Sequence, residues 1–170
     1  MADATVLARP VAQRWTLRTR VAQSAEELAL HHRIRHLVFV AEQGIFTGAD
    51  VDAHDGAEAT IKVIGTAGSV VAGAVRLYPL ERADGLWQGD RLAVLSAFRI
   101  HGLGKPLVRF AVATAARLGG REMQAHIQPG NVRFFERLGW ERRGPVEVYV
   151  GLPHQPMAID LTAIDLSQMS

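Results

Sequence analysis

Residues 91–105 read Arg-Leu-Ala-Val-Leu-Ser-Ala-Phe-Arg-Ile-His-Gly-Leu-Gly-Lys, and they predict a strand, a turn and the start of a helix. Glycines at 102 and 104 leave room for backbone amides to approach a ligand closely. The helix that opens there presents amides without intrahelical partners and the positive end of its dipole. Arg99 and Lys105 add positive charge at the same place. The stretch therefore predicts an anion pocket and favours a pyrophosphate over a neutral ligand.

Spacing excludes two other phosphate-binding loops. A Walker loop needs Gly-x-x-x-x-Gly-Lys-Ser/Thr, a dinucleotide-binding turn needs Gly-x-Gly-x-x-Gly, and neither spacing occurs in this stretch. The pattern present is Arg-x-x-Gly-x-Gly. On this stretch alone, Gly102 and Gly104 are equally consistent with a sharp turn that only lets a helix pack closely on a sheet.

Outward from this stretch, hydrophobic periodicity predicts strands and helices in succession. Ser24 and Glu27 form a capping box that opens a helix running to about Ala41. A long acidic loop follows over residues 42–58. The other predicted elements are strands at 15–21, 59–65, 70–78, 91–94, 122–127, 147–150 and 157–161, helices at 102–118 and 131–138, and a loop at 82–88. This order predicts an α/β protein with a mixed sheet.

The composition is typical of a globular protein with one domain. At 170 residues one domain can bury most of its apolar surface, and we expect a flexible lead-in over residues 1–14 and a single domain over residues 15–170. The chain has no cysteine and no pattern of a secretory signal, which favours the cytoplasm. No segment reaches the roughly 18 apolar residues of a membrane span. Nineteen Lys and Arg against seventeen Asp and Glu give a charge of +2, so neither membranes nor nucleic acids are expected partners.

Two segments carry a resemblance to a known family. The pattern from Arg99 to Gly104 resembles the acyl-CoA signature Arg/Gln-x-x-Gly-x-Gly/Ala of the GNAT (Gcn5-related N-acetyltransferase) superfamily. Residues 128–140 are similar to its later segment Asn-x-x-(Phe/Leu)-Tyr-Glu-(Lys/Arg)-x-Gly-Phe. Residues 35–43 and 151–157 resemble ElaA-like members and, more distantly, acyl-homoserine-lactone synthases. The resemblance covers about residues 24–160 and implies a mostly antiparallel sheet, flanked by helices and splayed between strands 4 and 5.

The resemblance also implies a cofactor and the residues that bind it. The cofactor is acetyl-CoA or another acyl-CoA, and the acyl group passes by direct attack to a primary amine of a small molecule. The Val94 amide would stabilise the oxyanion at the splayed strand end. Phe135 stands where many members have a tyrosine that protonates the thiolate, so the acid is left open. The implied cofactor-binding residues are Ala93, Val94, Arg99, Ile100, His101, Gly102, Leu103, Gly104, Lys105, Asn131, Phe134 and Phe135.

Aminolysis of a thioester requires a neutral amine, so the site needs a group that accepts a proton near pH 7. The candidates are His54, His126 and His154, and the sequence leaves the choice among them open, because a lone histidine is also common as a structural residue. No metal is expected, because the acidic loop lacks the spacing of a calcium loop. The residues assigned to the acceptor site are Arg35, Phe39, Glu42, Asp52, Asp55 and Arg76.

Other interpretations stay open at this point. One is a longer-chain acyltransferase like the acyl-homoserine-lactone synthases. Another is a non-catalytic acyl-CoA sensor or interaction module, which Phe135 would suit because it cannot donate a proton. A resemblance to nitrogen-starvation N-acetyltransferases over residues 121–140 and 151–161 indicates a context but no substrate. The oligomeric state is undetermined, with a homodimer as one alternative.

Overall fold

The computed structural model describes residues 14–168, so nearly all of the lead-in expected at 1–14 lies outside the described residues. The described strands form one eight-stranded sheet with the order β1-β2-β3-β4-β5-β8-β6, and β7 pairs with β8. This is a mixed α/β sheet flanked by helices, as predicted. The strands are Leu17–Val21 (β1), Ile61–Ala67 (β2), Val70–Pro79 (β3), Leu86–Val94 (β4), Glu122–Ile127 (β5), Glu141–Arg142 (β6), Glu147–Tyr149 (β7) and Leu152–Asp160 (β8).

The helices begin close to where the sequence predicts them. Ser24 caps the first helix and forms the expected capping box with Glu27, and the last turns widen into a π-helix in which the Gln43 amide bonds to the Val38 carbonyl at 2.9 Å. No helix between residues 14 and 168 is long and apolar enough to cross a membrane. The α-helices are Ala25–Arg35 (α1), Gly104–Arg117 (α2) and Val132–Arg137 (α3), the π-helix is His36–Glu42, and short 3-10 helices are Ala53–Gly56, Ser96–His101, Pro129–Asn131 and Leu166–Gln168.

The sheet is antiparallel except where β4 and β5 meet. These two parallel strands pair over three residues only, from Leu86 opposite Glu122 to Gln88 opposite Gln124. Beyond Gln88 they part, while β4 stays paired with β3 and β5 stays paired with β8. The predicted splay between strands 4 and 5 is therefore confirmed.

Helices cover both faces of the sheet. On one face, Leu107 of α2 packs so closely on Gly73 that a Cβ atom at that glycine would lie 2.6 Å from the leucine Cδ1. On the other face, Phe39 packs with Ala74, the next residue of β3. Because successive residues of a strand point to opposite faces, α1 and α2 lie on opposite sides of the sheet.

A bulge in β4 changes which side chains share a face. Ala74 pairs with Ala93 but Arg76 pairs with Asp90, so β4 has one residue more than β3 in this interval. Arg91 takes up the extra residue with a φ of 53°, a left-handed conformation that is rare outside glycine. As a result the neighbours Asp90 and Arg91 both face the α1 side.

Two strands are longer than predicted. β4 begins at Leu86 rather than 91, so the predicted loop at 82–88 is wrong for its last three residues. Gly89, Asp90 and Arg91 interrupt the apolar alternation, yet β3 pairs with Gly89 and Asp90 and so keeps the strand continuous. β8 begins at Leu152 rather than 157, because pairing with β5 and β7 tolerates two prolines that lower strand propensity.

Candidate active site

A concave region lies where β4 and β5 part, with about 850 Å³ of space between its walls when the open solvent at its mouth is included. We call it the cleft. Its wall includes residues 89–92 of β4 and residues 125–128 on and just after β5. These residues follow the last pairs that β4 and β5 form with each other, at Gln88 and Gln124. Because the strands no longer fill the space between them, the cleft reaches both faces of the sheet.

Three aromatic rings line the α1 side of the cleft. The Tyr149 ring stacks on His126, with ring centroids 4.2 Å apart and planes 6° from parallel. It meets His154 edge to face at 5.4 Å. The hairpin of β7 and β8 carries Tyr149 and His154, and β5 carries His126. Two of the three predicted histidines are thus brought together.

A backbone contact defines the tautomer of His154. Its Nδ1 lies 2.9 Å from the carbonyl oxygen of Leu152, and a carbonyl can only accept a hydrogen bond. Nδ1 therefore carries the proton, and Nε2 carries the lone pair of the neutral ring. His154 is 4% exposed and lines the cleft, so this nitrogen is a proton acceptor in a largely desolvated wall.

His126 is held differently. Its Nε2 donates to Glu147 Oε1 at 2.8 Å, while its Nδ1 is buried without a partner among the described residues. No described residue lies within hydrogen-bond distance of this Nδ1. Of these two histidines, His154 is the better placed base.

His54 lies elsewhere. It belongs to the 3-10 helix Ala53–Gly56, is exposed, and stacks on Tyr78 with ring centroids 3.9 Å apart. Its ring does not line the cleft. The predicted catalytic role of His54 stays a prediction without support from this arrangement.

Most residues assigned to the acceptor site bond to one another instead. Arg35 pairs with Asp50 at 2.7 Å and with Asp55 at 2.6 Å, and Arg76 pairs with Asp52 at 2.7 Å. We call the whole set the arginine–aspartate network; its members are Arg35, Arg76, Arg91, Asp50, Asp52, Asp55 and Asp90. Only Asp90 and Arg91 of this network line the cleft, and of the six residues assigned to the acceptor site only Phe39 lines it.

Hydrogen bonds within the network stabilise the charged forms of Asp55 and Arg76. Burial would raise the pKa of the Asp55 carboxyl, but hydrogen bonds from Arg35 and from the Asp52 amide outweigh burial and hold that pKa well below its usual range. Burial would likewise lower the pKa of the Arg76 guanidinium, but its bonds to Asp90 and Asp52 raise it. Arg35 and Arg76 are fully buried, so the network is a charged wall behind the cleft rather than a free binding surface.

The predicted anion pocket lies at the start of α2. Gly102 has a φ of 78° and ends the preceding 3-10 helix, so that α2 can begin at Gly104. Ile100 and Lys105 are exposed there, while the Leu103 side chain is completely buried in the core. The first amides of an α-helix have no intrahelical partner, and here they lie among exposed residues.

Arg99 has partners inside the protein. Its guanidinium pairs with both oxygens of Glu42, at 2.5 and 2.8 Å, and its Nε donates to the Val94 carbonyl at 2.9 Å. Both side chains of the ion pair are about 40% exposed, so water and phosphate oxygens have access to it. Arg99, the cation predicted to bind the pyrophosphate, is therefore balanced by Glu42, a residue assigned to the acceptor site.

Two of the other predicted cofactor residues line the cleft. Asn131 and Phe135 line it, and Phe134 lies against Gly104 at the start of α2. The Leu95 amide bonds to Ala72 of β3 at 2.9 Å, so by alternation the backbone N–H of Val94 points away from β3, toward the gap.

Sequence reasoning missed several residues of the cleft. Tyr149, Arg91 and Leu92 line it, as does Val150. Arg91 and Val150 are the two non-glycine residues with positive φ among residues 14–168, at 53° and 45°. Such strain gathers at functional sites. One signal was available: strict alternation would send one of the adjacent charges Asp90 and Arg91 into the apolar face, and a bulge avoids this by turning both to the same face.

Comparisons with known proteins agree with this architecture. Residues 56–161 match the model of the acetyltransferase (GNAT) domain. The fold is similar to Escherichia coli ElaA (19% identity, TM-score 0.75, 85% of this chain and 100% of that one) and to an acyl-CoA N-acyltransferase from Pseudomonas aeruginosa (24%, 0.73, 85% and 99%). It is also similar to BjaI, a CoA-dependent acyl-homoserine lactone synthase solved with SAM and isopentyl-CoA (18%, 0.70, 91% and 87%). Since the family match spans well over half of the 170 residues, the chain belongs to the GNAT acetyltransferase family.

Proposed function

We propose that this protein transfers an acyl group, acetyl in the simplest case, from acyl-CoA to a primary amine of a small molecule. The observation that carries the proposal is the cleft at the parting of β4 and β5, with the open start of α2 beside the end of β4. A thioester fits between parted strands because their unpaired backbone groups can bind it. The cytoplasmic location and the homodimer stay predictions.

The start of α2 would hold the pyrophosphate of the cofactor. Amides of residues 103–105, Lys105 and the helix dipole all favour negative charge there. Arg99 would exchange one or both Glu42 oxygens for phosphate oxygens, since both kinds of oxygen accept its N–H groups in the same geometry. Asn131 would bind the pantetheine arm farther along the cleft.

The chemistry requires a base, an oxyanion donor and an acid. His154 Nε2 would take a proton from the attacking ammonium or amine, whose nitrogen then forms a bond to the thioester carbon. The Val94 amide would donate to the oxygen that becomes negative. The C–S bond breaks, and the Tyr149 hydroxyl would protonate the departing thiolate, a role that Phe135 cannot fill. The proton held by the His154 imidazolium would then return to the Tyr149 oxygen, since the two rings meet edge to face.

Calorimetric titration with acetyl-CoA and CoA tests the binding step. Wild-type protein should bind both at concentrations up to about 1 mM, a usual range for enzyme substrates. Gly104→Val should weaken binding about tenfold or more, because charge-assisted hydrogen bonds to the pyrophosphate are worth about 1.5–3 kcal/mol and the new side chain covers the amides. Gly104 is helical, so this substitution leaves the backbone unstrained.

Gly56→Val is the matched control, because an added Cβ there meets nothing within 4 Å and the site lies far along the chain from α2. No binding of any acyl-CoA at millimolar concentration would refute the proposal. Binding without thiol release across a broad panel of amines would instead favour the non-catalytic sensor.

A further inference from the structure

A second concave region lies on the α1 side of the sheet, over β5 and β8. Its floor includes Gln124 and His126 of β5 and their paired partners on β8, Ala158 and Pro156. The space between its walls is about 620 Å³ when the open solvent at its mouth is included. His126 also lines the cleft, so a ligand in the cleft can extend into this region. We call it the β5–β8 groove.

Most charged side chains at the β5–β8 groove have partners within the protein. Arg143 forms ion pairs with Glu141 at 2.8 Å and with Glu122 at 3.6 Å. Glu147 accepts a hydrogen bond from His126 at 2.8 Å. These charges are therefore already engaged by neighbouring side chains.

Arg82 is the exception. It lies in the connection between β3 and β4, borders the groove and is exposed. Its Nη2 donates to the neutral Oε1 of Gln124 at 2.6 Å, and no carboxylate of residues 14–168 lies within ion-pair distance of it. Because a guanidinium has five N–H donors, most of those on Arg82 stay available to a ligand.

Two glutamines hold Arg82 in place. Gln88 Nε2 donates to the carbonyl of Gly89 at 3.1 Å, and Gln88 Oε1 accepts from Gln124 Nε2 at 3.0 Å. Because the series begins at a carbonyl, which only accepts, each amide has one orientation, and Gln124 Oε1 faces Arg82. A merely solvated arginine keeps its rotamer freedom, whereas this one is held above the groove floor. The groove thus contains a cation that is positioned but not neutralised.

We propose that Arg82 binds a carboxylate of the acceptor, so that the acceptor is an amine with a carboxylate several bonds from its nitrogen. This rests on the proposed function and names the class of its acceptor. The charges of the groove fit this orientation. Glu147 is 52% exposed beside His126, where it would attract an ammonium, and Arg82 lies farther from the cleft at Gln124. A guanidinium can bind both oxygens of a carboxylate at once.

The geometry of β5 sets the length of this acceptor. Gln124 and His126 are two residues apart in the strand, which corresponds to about 7 Å. The amine would react beyond His126, near His154, while the carboxylate would lie at Arg82. An extended chain spans about 1.2 Å per bond, so about six bonds must separate the nitrogen from the carboxylate oxygens. An α-amine of an amino acid is too close to its carboxylate, whereas 5-aminopentanoate has the required length.

Two matched amines test the proposal, with acetyl-CoA as the donor and thiol release as the signal. Wild-type protein should show a kcat/KM at least about fivefold higher for 5-aminopentanoate than for pentylamine, the upper range for one exposed ion pair. Arg82→Gln should remove this preference by raising the KM for 5-aminopentanoate, with kcat and the reaction of pentylamine changed less than about twofold. Arg117→Gln is the matched control, because Arg117 is exposed at the end of α2, on the other face of the sheet.

Equal kcat/KM for the two amines in the wild type would overturn the proposal. Equal weakening of both by Arg82→Gln at an unchanged melting temperature would also overturn it, as would binding of acetyl-CoA without transfer to either amine. Failure to bind acetyl-CoA or CoA would instead refute the proposed function itself.

Discussion

The two sides of the cleft differ in almost every respect. The α1 side has rings with polar atoms and, behind them, three arginines and four aspartates that bond to one another. The α2 side is a wall of carbon with a single buried N–H. Both sides meet along β5. There the polar residues Gln124 and His126 alternate with the buried apolar residues Met123, Ala125 and Ile127.

This difference shows how one strand can serve two chemistries. Strand alternation sends every second side chain to the charged face and the others to the core. In a fully paired sheet a ligand contacts only one of these faces. Because β4 and β5 part, side chains of both faces border the same cleft. A ligand between the strands would therefore meet rings with polar atoms on one side and apolar side chains on the other.

The largest effect on stability is expected for the replacement of Arg76, which is fully buried and forms ion pairs with Asp52, Asp55 and Asp90. Arg76→Met should lower the free energy of unfolding by about 3–5 kcal/mol, because carboxylates are left buried without their partner. Arg20→Met, at an exposed pair with Glu27, should cost less than about 1 kcal/mol. Denaturant titration measures both. Unchanged stability with lost activity would instead support the predicted acceptor role of Arg76.

The same variant should change the response to acid. In the wild type, the pKa values of Asp52 and Asp55 are held low, so their contribution to stability is present above the unfolded pKa of about 3.9 and is lost as pH falls through the folded values. Without Arg76 these pKa values rise, so the loss of melting temperature below about pH 4 should be shallower than in the wild type. If the melting temperatures of both proteins fell equally steeply below about pH 4, this account of the network would be contradicted.

The next effect concerns the ring-lined wall. His154→Gln should lower kcat by about a hundredfold or more, the usual range for removing a general base. His54→Gln should change kcat less than about twofold, because that ring lies outside the cleft. Thiol release with an accepted amine measures both. If His126→Gln alone abolished turnover, the base would be His126 and the argument from its unpartnered Nδ1 would fail.

A smaller effect is expected on the α2 side. Gly73→Ala should destabilise the fold by about 1–3 kcal/mol, because the new Cβ would lie 2.6 Å from Leu107 and push α2 away from the sheet. The start of α2 would shift with it, so acyl-CoA binding should weaken as well. Gly56→Ala, where nothing lies within 4 Å, should change neither thermal unfolding nor binding. Binding as tight as the wild type's in Gly73→Ala, at a lowered stability, would contradict the expected shift of the start of α2.

The smallest effect is a gain. Val150 has a φ of 45° in the tight turn between β7 and β8, a conformation that costs a branched residue about 1–2 kcal/mol and that asparagine adopts more readily. Val150→Asn should therefore raise the free energy of unfolding by about 1 kcal/mol. Arg91→Asn, at a similar φ, should give no gain, because the arginine's bonds to Asp50 and Asp52 are lost. A lower melting temperature for Val150→Asn would show that the valine side chain stabilises the cleft more than its backbone strains it.

Local patterns predicted the frame well and the site only in part. The capping box at Ser24 and the helix after Gly102 depend on neighbouring residues, so they could be recognised in the chain. The full length of β4 could not, because its central residues pair through partners distant in sequence. The ion pairs of Arg35 could not be predicted for a similar reason, because Asp50 and Asp55 are brought to it by the fold, and its predicted acceptor role stays a prediction.

By itself, the sequence determined that this chain builds a mixed sheet with a helix that opens at a glycine-containing turn, because glycine spacing, strand alternation and capping act over a few residues. Tertiary structure alone decided that His126 and His154 share one wall, that a bulge turns Asp90 and Arg91 to the same face, and that carbon lines the opposite side. Those outcomes depend on the register between distant strands, and a shift of one residue there would exchange the two faces.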